Sequence, residues 1–491
     1  ESELAADLAA RAGEPVEGLD RERLAAGLRE RFPPQPGICP DWQQLAAAQA
    51  LLRRFCVISG GPGTGKTSTV VRILTLLRQQ PGGGRLKIGL AAPTGKAAAR
   101  MQESIRAAKQ RLGLAPELIA AIPDAARTLH RLLGWRPDGA GFRYGRDNPL
   151  PLDLLIVDEA SMVDLALMAR LLRALGPDTR LILLGDRDQL ASVEAGAVLG
   201  DICGPVPGFS PSFAGQLAAL TGADVPVAQR RPPPLADCLA VLRHSYRFGA
   251  DSGIGRLAQA VNQGRGETAC ALLAAPEPAD VAWLKAGLKP ARAALDGYRD
   301  YLELLAAGAE MEQVFAAFGR FQVLCALRHG PTGVAGLNLA IEAELQRAGL
   351  IAPRAGWYPG RPVMVVRNDY NLHLYNGDIG IAVADPQRPE RLQVCFLGAD
   401  GTLRRLAPAR LPPHETVYAM TVHKSQGSEF DAVWLLLPPK DNAVLSRELI
   451  YTGITRARTR LAVLGAEAVF RVAVERVMRR ASGLGERLLE P

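Results

Sequence analysis

From Arg54 onward the chain alternates short apolar runs with stretches whose apolar positions recur every three to four residues. The runs lie at 55 to 59, 87 to 92, 153 to 157 and 180 to 184, and the helical stretches between them at 67 to 79, 95 to 111 and 163 to 175. Runs of this length suit buried strands, and the intervening helices suit crossovers, so the pattern predicts an α/β fold with a parallel sheet. Pro- and Gly-rich segments at 204 to 211 and 231 to 234 then interrupt the rhythm, which places a domain boundary near 205. A second α/β set follows, with strands expected at about 321 to 326, 417 to 422, 432 to 437 and 460 to 464, closed by a helical tail. Between its strands Trp357, Pro359, Pro362, Asn376-Gly377-Asp378, Pro386 and the Ala-Asp-Gly of 399 to 401 separate β-like runs at 363 to 367, 379 to 384, 392 to 397 and 403 to 406. That spacing predicts a small all-β barrel inserted at 356–415. The expected order is a helical N-terminal region at 1–37, a first α/β domain at 38–205, and a second at 206–355 and 416–491. The chain starts at Glu1 rather than Met, so residues upstream of it are expected, and the N-terminal region is the expected partner-docking surface.

At 491 residues the chain exceeds the size at which one core keeps growing, which agrees with several domains. It has no charge-free run of 18 apolar residues, and residues 1 to 30 are charged and Ala-rich without the apolar stretch of a signal peptide. A cytoplasmic protein with no membrane partner is expected. The seven cysteines are odd in number and never spaced Cys-x-x-Cys, so they read as reduced and mostly buried. The net charge of +8 is compatible with a polyanionic partner. Nearly all of the positive charge is arginine, since only eight lysines occur. Arginine suits bidentate phosphate contacts, and a compositional bias toward Ala, Gly, Arg and Pro explains the excess equally well.

Three stretches carry chemistry. Gly60-Gly61-Pro62-Gly63-Thr64-Gly65-Lys66-Thr67, followed by Ser68, lies between a strand run and a helix run, in the order of a Walker A loop. Its glycines let successive N–H groups face phosphates, Lys66 reaches the β and γ oxygens, and the Thr67 hydroxyl can ligate Mg²⁺. The apolar run Leu154 to Val157 ends in Asp158-Glu159, the pattern of a Walker B strand. Asp158 would hold Mg²⁺ beside Thr67, and Glu159 would orient and deprotonate the attacking water. A third run, Leu181 to Leu184, leads to Gln189, whose amide could donate to the γ-phosphate and accept from that water. ATP and Mg²⁺ are the expected cofactors.

With these motifs in place the chain resembles the superfamily 1 helicases, and within them the RecD branch. Trp42-Gln43 is similar to the adenine-reading Q motif, Ala91 to Ala98 to motif Ia, and Thr128 to Leu133 to motif Ib. Gly185 to Gln189 resembles motif III, Leu242 to Phe248 motif IV, Val417 to Phe430 motif V and Tyr451 to Arg458 motif VI. The resemblance implies two RecA-like domains, with an SH3-like barrel as the insert. It implies two catalytic arginines, Arg247 and Arg456, both from the second domain, so that ATP closes a cleft and hydrolysis releases it. Glu429 joins the nucleotide contacts. Single-stranded DNA would be held by Pro93, Thr94, Lys96, Thr128 and His130 in the first domain and Asn338, Thr421 and His423 in the second. Thr94 could instead cap the helix after it, and His130 could be a satisfied, partly buried side chain.

Stand-alone members of the branch carry a long N-terminal extension that nothing before Trp42 resembles. The better resemblance is to members that move 5′ to 3′ on the 5′-ended strand, beside RecB-like and RecC-like subunits, in double-strand break repair. No lysine has Glu two positions before it, so the Glu-x-Lys of many Mg²⁺ nucleases is missing and nuclease activity is expected in a partner. Segment 135–149 falls where relatives carry a strand-splitting hairpin, although here it is short. A stand-alone DNA or RNA helicase, an ATP-gated scaffold and a P-loop kinase stay open as alternatives. Lys66→Gln should abolish ATP hydrolysis and leave the circular dichroism spectrum unchanged. Substantial residual turnover would count against the Walker A reading.

Overall fold

The computed structural model describes residues 1–136, 141–192, 196–204, 208–229, 232–249, 251–284, 289–353, 356–369, 371–398, 401–478 and 483–489. Residues 137–140 of the short hairpin segment, the point near 205, Arg231 of the Pro-rich segment and residues 399–400 of the insert lie outside the described residues. The chain forms two compact units, Glu1–Arg247 with Arg479–Pro491, and Phe248–Met478.

The first unit is built on strands β1 (Phe55–Gly60), β2 (Ile88–Ala92), β3 (Ala126–Thr128), β4 (Leu154–Val157), β5 (Arg180–Gly185) and β6 (Leu239–Leu242). They form one parallel sheet in the order β3-β2-β4-β5-β1-β6. Side chains alternate across a strand, and here both sides meet apolar partners. Cys56, Ile58, Leu154, Ile156, Ile182 and Leu184 enter one core, while Phe55, Val57, Leu155, Val157, Leu181 and Leu183 enter the other. Burial on both faces is why the strands read as continuous apolar runs rather than alternating ones. The N-terminal helices complete these cores. Leu24 and Leu28 of helix Arg21–Arg31 enter the first, and Leu4 and Leu8 of helix Ser2–Gly13 enter the second with Leu484 and Leu488 near the C-terminus.

The boundary expected near 205 falls instead between Arg247 and Phe248. The reason is β6, which pairs with β1 (Val57↔Leu239 through Gly60↔Leu242) and keeps residues 208–247 with the first unit. Four-residue β6 and three-residue β3 are too short to leave a periodic signal in the sequence.

The second unit contains β7 (Val281–Trp283), β8 (Phe321–Cys325), β9 (Pro362–Val365), β10 (Ile379–Asp385), β11 (Arg388–Leu397), β12 (Leu403–Leu406), β13 (His414–Thr416), β14 (Ala419–Thr421), β15 (Phe430–Leu436) and β16 (Ala457–Leu464). Five make a parallel sheet, β14-β8-β15-β16-β7. The other five make an antiparallel sheet, β12-β11-β10-β9-β13, around Val363, Val365, Leu374, Ala382, Val394 and Phe396. Four of the inserted strands match the expected runs closely; β13 supplies the fifth.

The insert is fastened to the parallel sheet by buried tyrosines. Helix Leu295–Ala306 contributes Tyr298, whose hydroxyl donates to the Tyr418 carbonyl, and Tyr301, which donates to Gly360 O at 3.0 Å and lies 3.2 Å from the Tyr418 hydroxyl. Tyr358 donates to Glu342 Oε1 at 2.6 Å and lies 3.2 Å from the Tyr418 hydroxyl. Both chain connections of the insert therefore meet one buried hydroxyl cluster, whose apolar surroundings hold the Tyr418 phenol up. Gly297, beside Tyr298, has no room for a side chain, because a Cβ there would land on the Phe321 ring. Gly297→Ala should cost about 1–3 kcal/mol of stability, measured by urea unfolding.

Candidate active site

In the first unit, β4, β5 and β1 are adjacent and parallel, so the turns that follow them emerge at one edge of the sheet. After β1 the chain turns through two left-handed glycines, Gly63 (φ 77°) and Gly65 (φ 82°), into helix Lys66–Gln79. The loop is held from within. Thr64 Oγ1 donates to Gly61 O at 2.8 Å, and Lys66 Nζ donates to Gly60 O at 2.5 Å and Gly61 O at 3.2 Å.

Two flanking segments brace it. Gln43, 6% exposed, donates from Nε2 to Thr64 O at 2.8 Å and accepts from Arg72 at 3.0 Å, and a Cβ on Gly65 would strike its amide. The amide expected to read adenine thus has one donated and one accepted bond within the protein, which leaves one N–H and one oxygen lone pair. On the other flank Ser245 Oγ donates to Pro62 O at 3.2 Å and the Tyr246 N–H to Gly63 O at 2.8 Å. The Arg243 guanidinium lies over Trp42 at 4.4 Å, tying these two flanks together. Arg247, expected from the second domain, is the last residue of the first unit, so close to the loop that a Cβ on Gly63 would collide with it. Thr67 stands in the first helical turn. The Ser68 hydroxyl, expected on the nucleotide, accepts instead from Arg111 at 2.8 Å.

Asp158 follows β4, and its N–H donates to Ala91 O at 2.9 Å. Burial, then the charge of Glu159, push its carboxyl up to about 6, against the opposing effects of Lys66, a hydrogen bond at 2.8 Å from the Glu159 N–H, and Arg100. Arg100 belongs to helix Gly95–Arg111 and carried no motif signal; only folding brings it near. Glu159 has φ 52°, a left-handed conformation that costs a residue with a Cβ on the order of 1 kcal/mol and is characteristic of functional turns. Gln189, 6% exposed, donates from Nε2 to Asp186 Oδ2 at 3.0 Å, and its Oε1 has no partner. One donor expected for a phosphate is thus engaged, and the open end is the acceptor.

The expected strand contacts divide. Thr94 and Thr128 follow the adjacent strands β2 and β3, and each caps a helix, accepting from Ala97 N at 3.2 Å and Arg131 N at 3.3 Å. Pro93 and Lys96 flank the first cap half-buried, and His130 is exposed, 5.9 Å from the Phe142 ring. In the second unit Thr421 accepts from Lys424 N at 3.2 Å and His423 opens the next turn. Asn338 is not a free surface donor. It is 6% exposed, donates to Thr416 O and Ala419 O at 2.9 and 3.1 Å, and accepts from Ala419 N at 2.8 Å. It clips helix Val334–Arg347 to β14. Glu429 is bonded to Arg458 at 3.3 Å. Arg456, expected as a catalytic arginine, is 2% exposed and donates to Thr452 O, Ser428 O and Thr455 Oγ1 at 3.1, 3.2 and 3.4 Å.

Among the described residues no group of three or more His, Cys, Asp or Glu could hold a metal alone. The donors at this edge are oxygens, the Thr67 hydroxyl and the Asp158 carboxylate. Their chemistry, and the crowding of two carboxylates that raises Asp158, fit a hard divalent cation that takes its remaining ligands from phosphate and water.

A phosphate loop, a strand-end acidic pair and a buried amide on adjacent parallel strands, followed by a second parallel sheet, define a P-loop NTPase of the two-domain helicase class. The AAA domain family matches residues 43–195, and the UvrD-like helicase C-terminal domain family matches residues 416–464. The chain belongs to the RecD family. It is 40% identical to the RecBCD enzyme subunit RecD of Haemophilus influenzae, across 94% of this chain and 74% of that protein. It is 43% identical to the RecBCD enzyme subunit RecD of Mycolicibacterium smegmatis, across 91% and 74%. It is also 33% identical to the ATP-dependent RecD2 DNA helicase of Deinococcus radiodurans, across 86% of this chain and 48% of that protein.

The raised carboxyl has a measurable sign. Folded Asp158 holds its proton to about pH 6 and an unfolded aspartate only to about 3.9, so stability falls as pH rises through that window and stays low above it. Asp158→Asn removes this loss. Without nucleotide or Mg²⁺ the variant should unfold later than the parent at pH 8, by up to about 3 kcal/mol, and the advantage should vanish at pH 4. A less stable variant at pH 8 would contradict the assignment.

Proposed function

We propose that this chain is the ATP-driven 5′ to 3′ DNA motor of a RecBCD-type helicase-nuclease, acting on the 5′-ended single strand beside RecB-like and RecC-like subunits in double-strand break repair and recombination. Membership of the RecD family supports the class and the partners. The observation that carries the chemistry is the emergence of Lys66, Asp158, Glu159 and Gln189 at one edge of one sheet. Lys66 turns its ammonium from the Gly60 and Gly61 carbonyls to phosphate oxygens. Glu159 orients the attacking water and accepts its proton, and Gln189 Oε1 accepts a hydrogen bond from the same water. Thr67 and Asp158 would hold Mg²⁺, which when bound neutralises charge developing on the phosphates. Arg247 seats its Cβ against Gly63 and is the first-unit arginine offered to the phosphates, and Arg456 is the arginine that the second unit offers for turnover.

Pro93, Thr94, Lys96, Thr128 and His130, with Thr421 and His423, hold the strand through backbone and small polar groups that read no sequence. The inserted antiparallel sheet acts as an SH3-like barrel that helps enclose it. The lack of Glu-x-Lys supports a partner as the nuclease. No helix among the described residues is long and apolar enough to cross a membrane, which is compatible with work in the cytoplasm.

ATP turnover with and without single-stranded DNA, then unwinding of duplexes with a 5′ or 3′ tail, tests this reading. Stimulation by DNA with preference for the 5′ tail is expected, and turnover indifferent to DNA would overturn it. Glu159→Gln should lower stimulated turnover about 10²- to 10⁴-fold while nucleotide affinity stays within a fewfold. A matching loss of affinity would make Glu159 a binding residue.

A further inference from the structure

Of the buried side-chain oxygens in the first unit that have no hydrogen-bond partner, two belong to the turns proposed to carry the ATPase chemistry. One is Gln189 Oε1; the other is the hydroxyl of Ser161, a residue 5% exposed that lies two positions after Glu159. A buried hydroxyl or amide oxygen left without a bond costs about 1–3 kcal/mol, so two at one site call for a reason.

The two turns are tied together. The Ser192 N–H donates to Ser161 O at 3.1 Å, and a Cβ on Gly185 would stand 3.3 Å from Ser161 N. Gly185 precedes and Ser192 follows Gln189 in the chain, so Ser161 contacts this loop on both sides of Gln189. Within the loop Asp186 already fixes the nitrogen end of the amide at 3.0 Å. The oxygen end has no counterpart, and a serine hydroxyl, free to rotate, is a donor suited to supply one.

We propose that Ser161 is a positioning residue for ATP hydrolysis: its hydroxyl donates, directly or across one water, to Gln189 Oε1. The amide is then held at both ends, by Asp186 and Ser161, and its second oxygen lone pair faces the attacking water in a fixed direction. Ser161 touches neither nucleotide nor reacting atoms; it acts only through Gln189. The inference rests on the reading of this edge as an ATPase site, which the turnover of the unsubstituted protein tests by itself.

The experiment is a double-substitution cycle on the full chain, reading kcat and KM for ATP with saturating single-stranded DNA. Ser161→Ala should lower kcat about tenfold with KM changed less than threefold, and Ser161→Thr, which keeps the hydroxyl, should recover at least half of the loss. In a Gln189→Ala background the same Ser161→Ala change should alter kcat less than twofold. Three results would each overturn the proposal: equal fold-losses in both backgrounds, Ser161→Ala within twofold of the parent, or a fall in kcat that tracks a fall in melting temperature in the alanine and threonine variants alike. An unsubstituted protein without turnover would instead overturn the ATPase reading.

Discussion

The hydrogen-bond ladder of β1 is the constraint from which the first unit's chemistry follows. On one side Ser59 stands in register with Gly185, and on the other Gly60 with Leu242. The first pairing sets the turn that bears Gln189 beside the phosphate loop, and the second delivers Ser245, Tyr246 and Arg247 to the loop's outer face. A one-residue slip in this ladder would turn every side chain of the strand to the wrong core. Because both faces of this sheet are buried, that register is held by the whole apolar interior.

A second theme is the use of polar side chains as struts. Gln43, Asn338 and Arg456 belong to stretches that suggest ligand contact, and each is spent largely on backbone carbonyls of its own unit. The physical reason is burial. Once an amide or guanidinium is closed off from water it must find partners, and backbone groups of neighbouring turns are the nearest ones. Gln43 therefore supports the shape of the phosphate loop, Asn338 the strand that leads to Thr421, and Arg456 the packing of helix Arg447–Ile454 against the turn at Ser428. The left-handed Glu159 and the unpartnered Gln189 oxygen are the reverse case, local costs held at the sheet edge where we propose that turnover occurs.

The insert shows how an added sheet is made rigid at low cost in sequence. Its chain leaves near Tyr358 and returns at Tyr418, and the hydroxyls of Tyr301, Tyr358 and Tyr418, closed by Glu342, bind exit and return to one another. A fully connected network of this kind stiffens the junction, whereas removing any one member strands a buried hydroxyl.

Much of this was legible in the chain itself. Long apolar runs located β1, β2, β4 and β5 to within a residue or two, because strands buried on both faces must be apolar throughout. The phosphate loop, the acidic pair and four of the five inserted strands were equally plain, since each depends on local turn chemistry and contiguous residues. What the sequence could not settle was every decision made by pairing across long separations. The three- and four-residue strands β3, β6, β7 and β13 carry too few positions for a periodic signal and exist because a neighbour's ladder extends to them. With β6 went the boundary at Arg247 and the unit to which that arginine belongs. Arg100 near Asp158, Arg111 on Ser68 and the loop contacts of Ser161 likewise have no spacing rule. Sequence by itself determined which residues could do phosphate chemistry; the tertiary ladder decided which side chains stay open to do it and which are consumed in holding the others still.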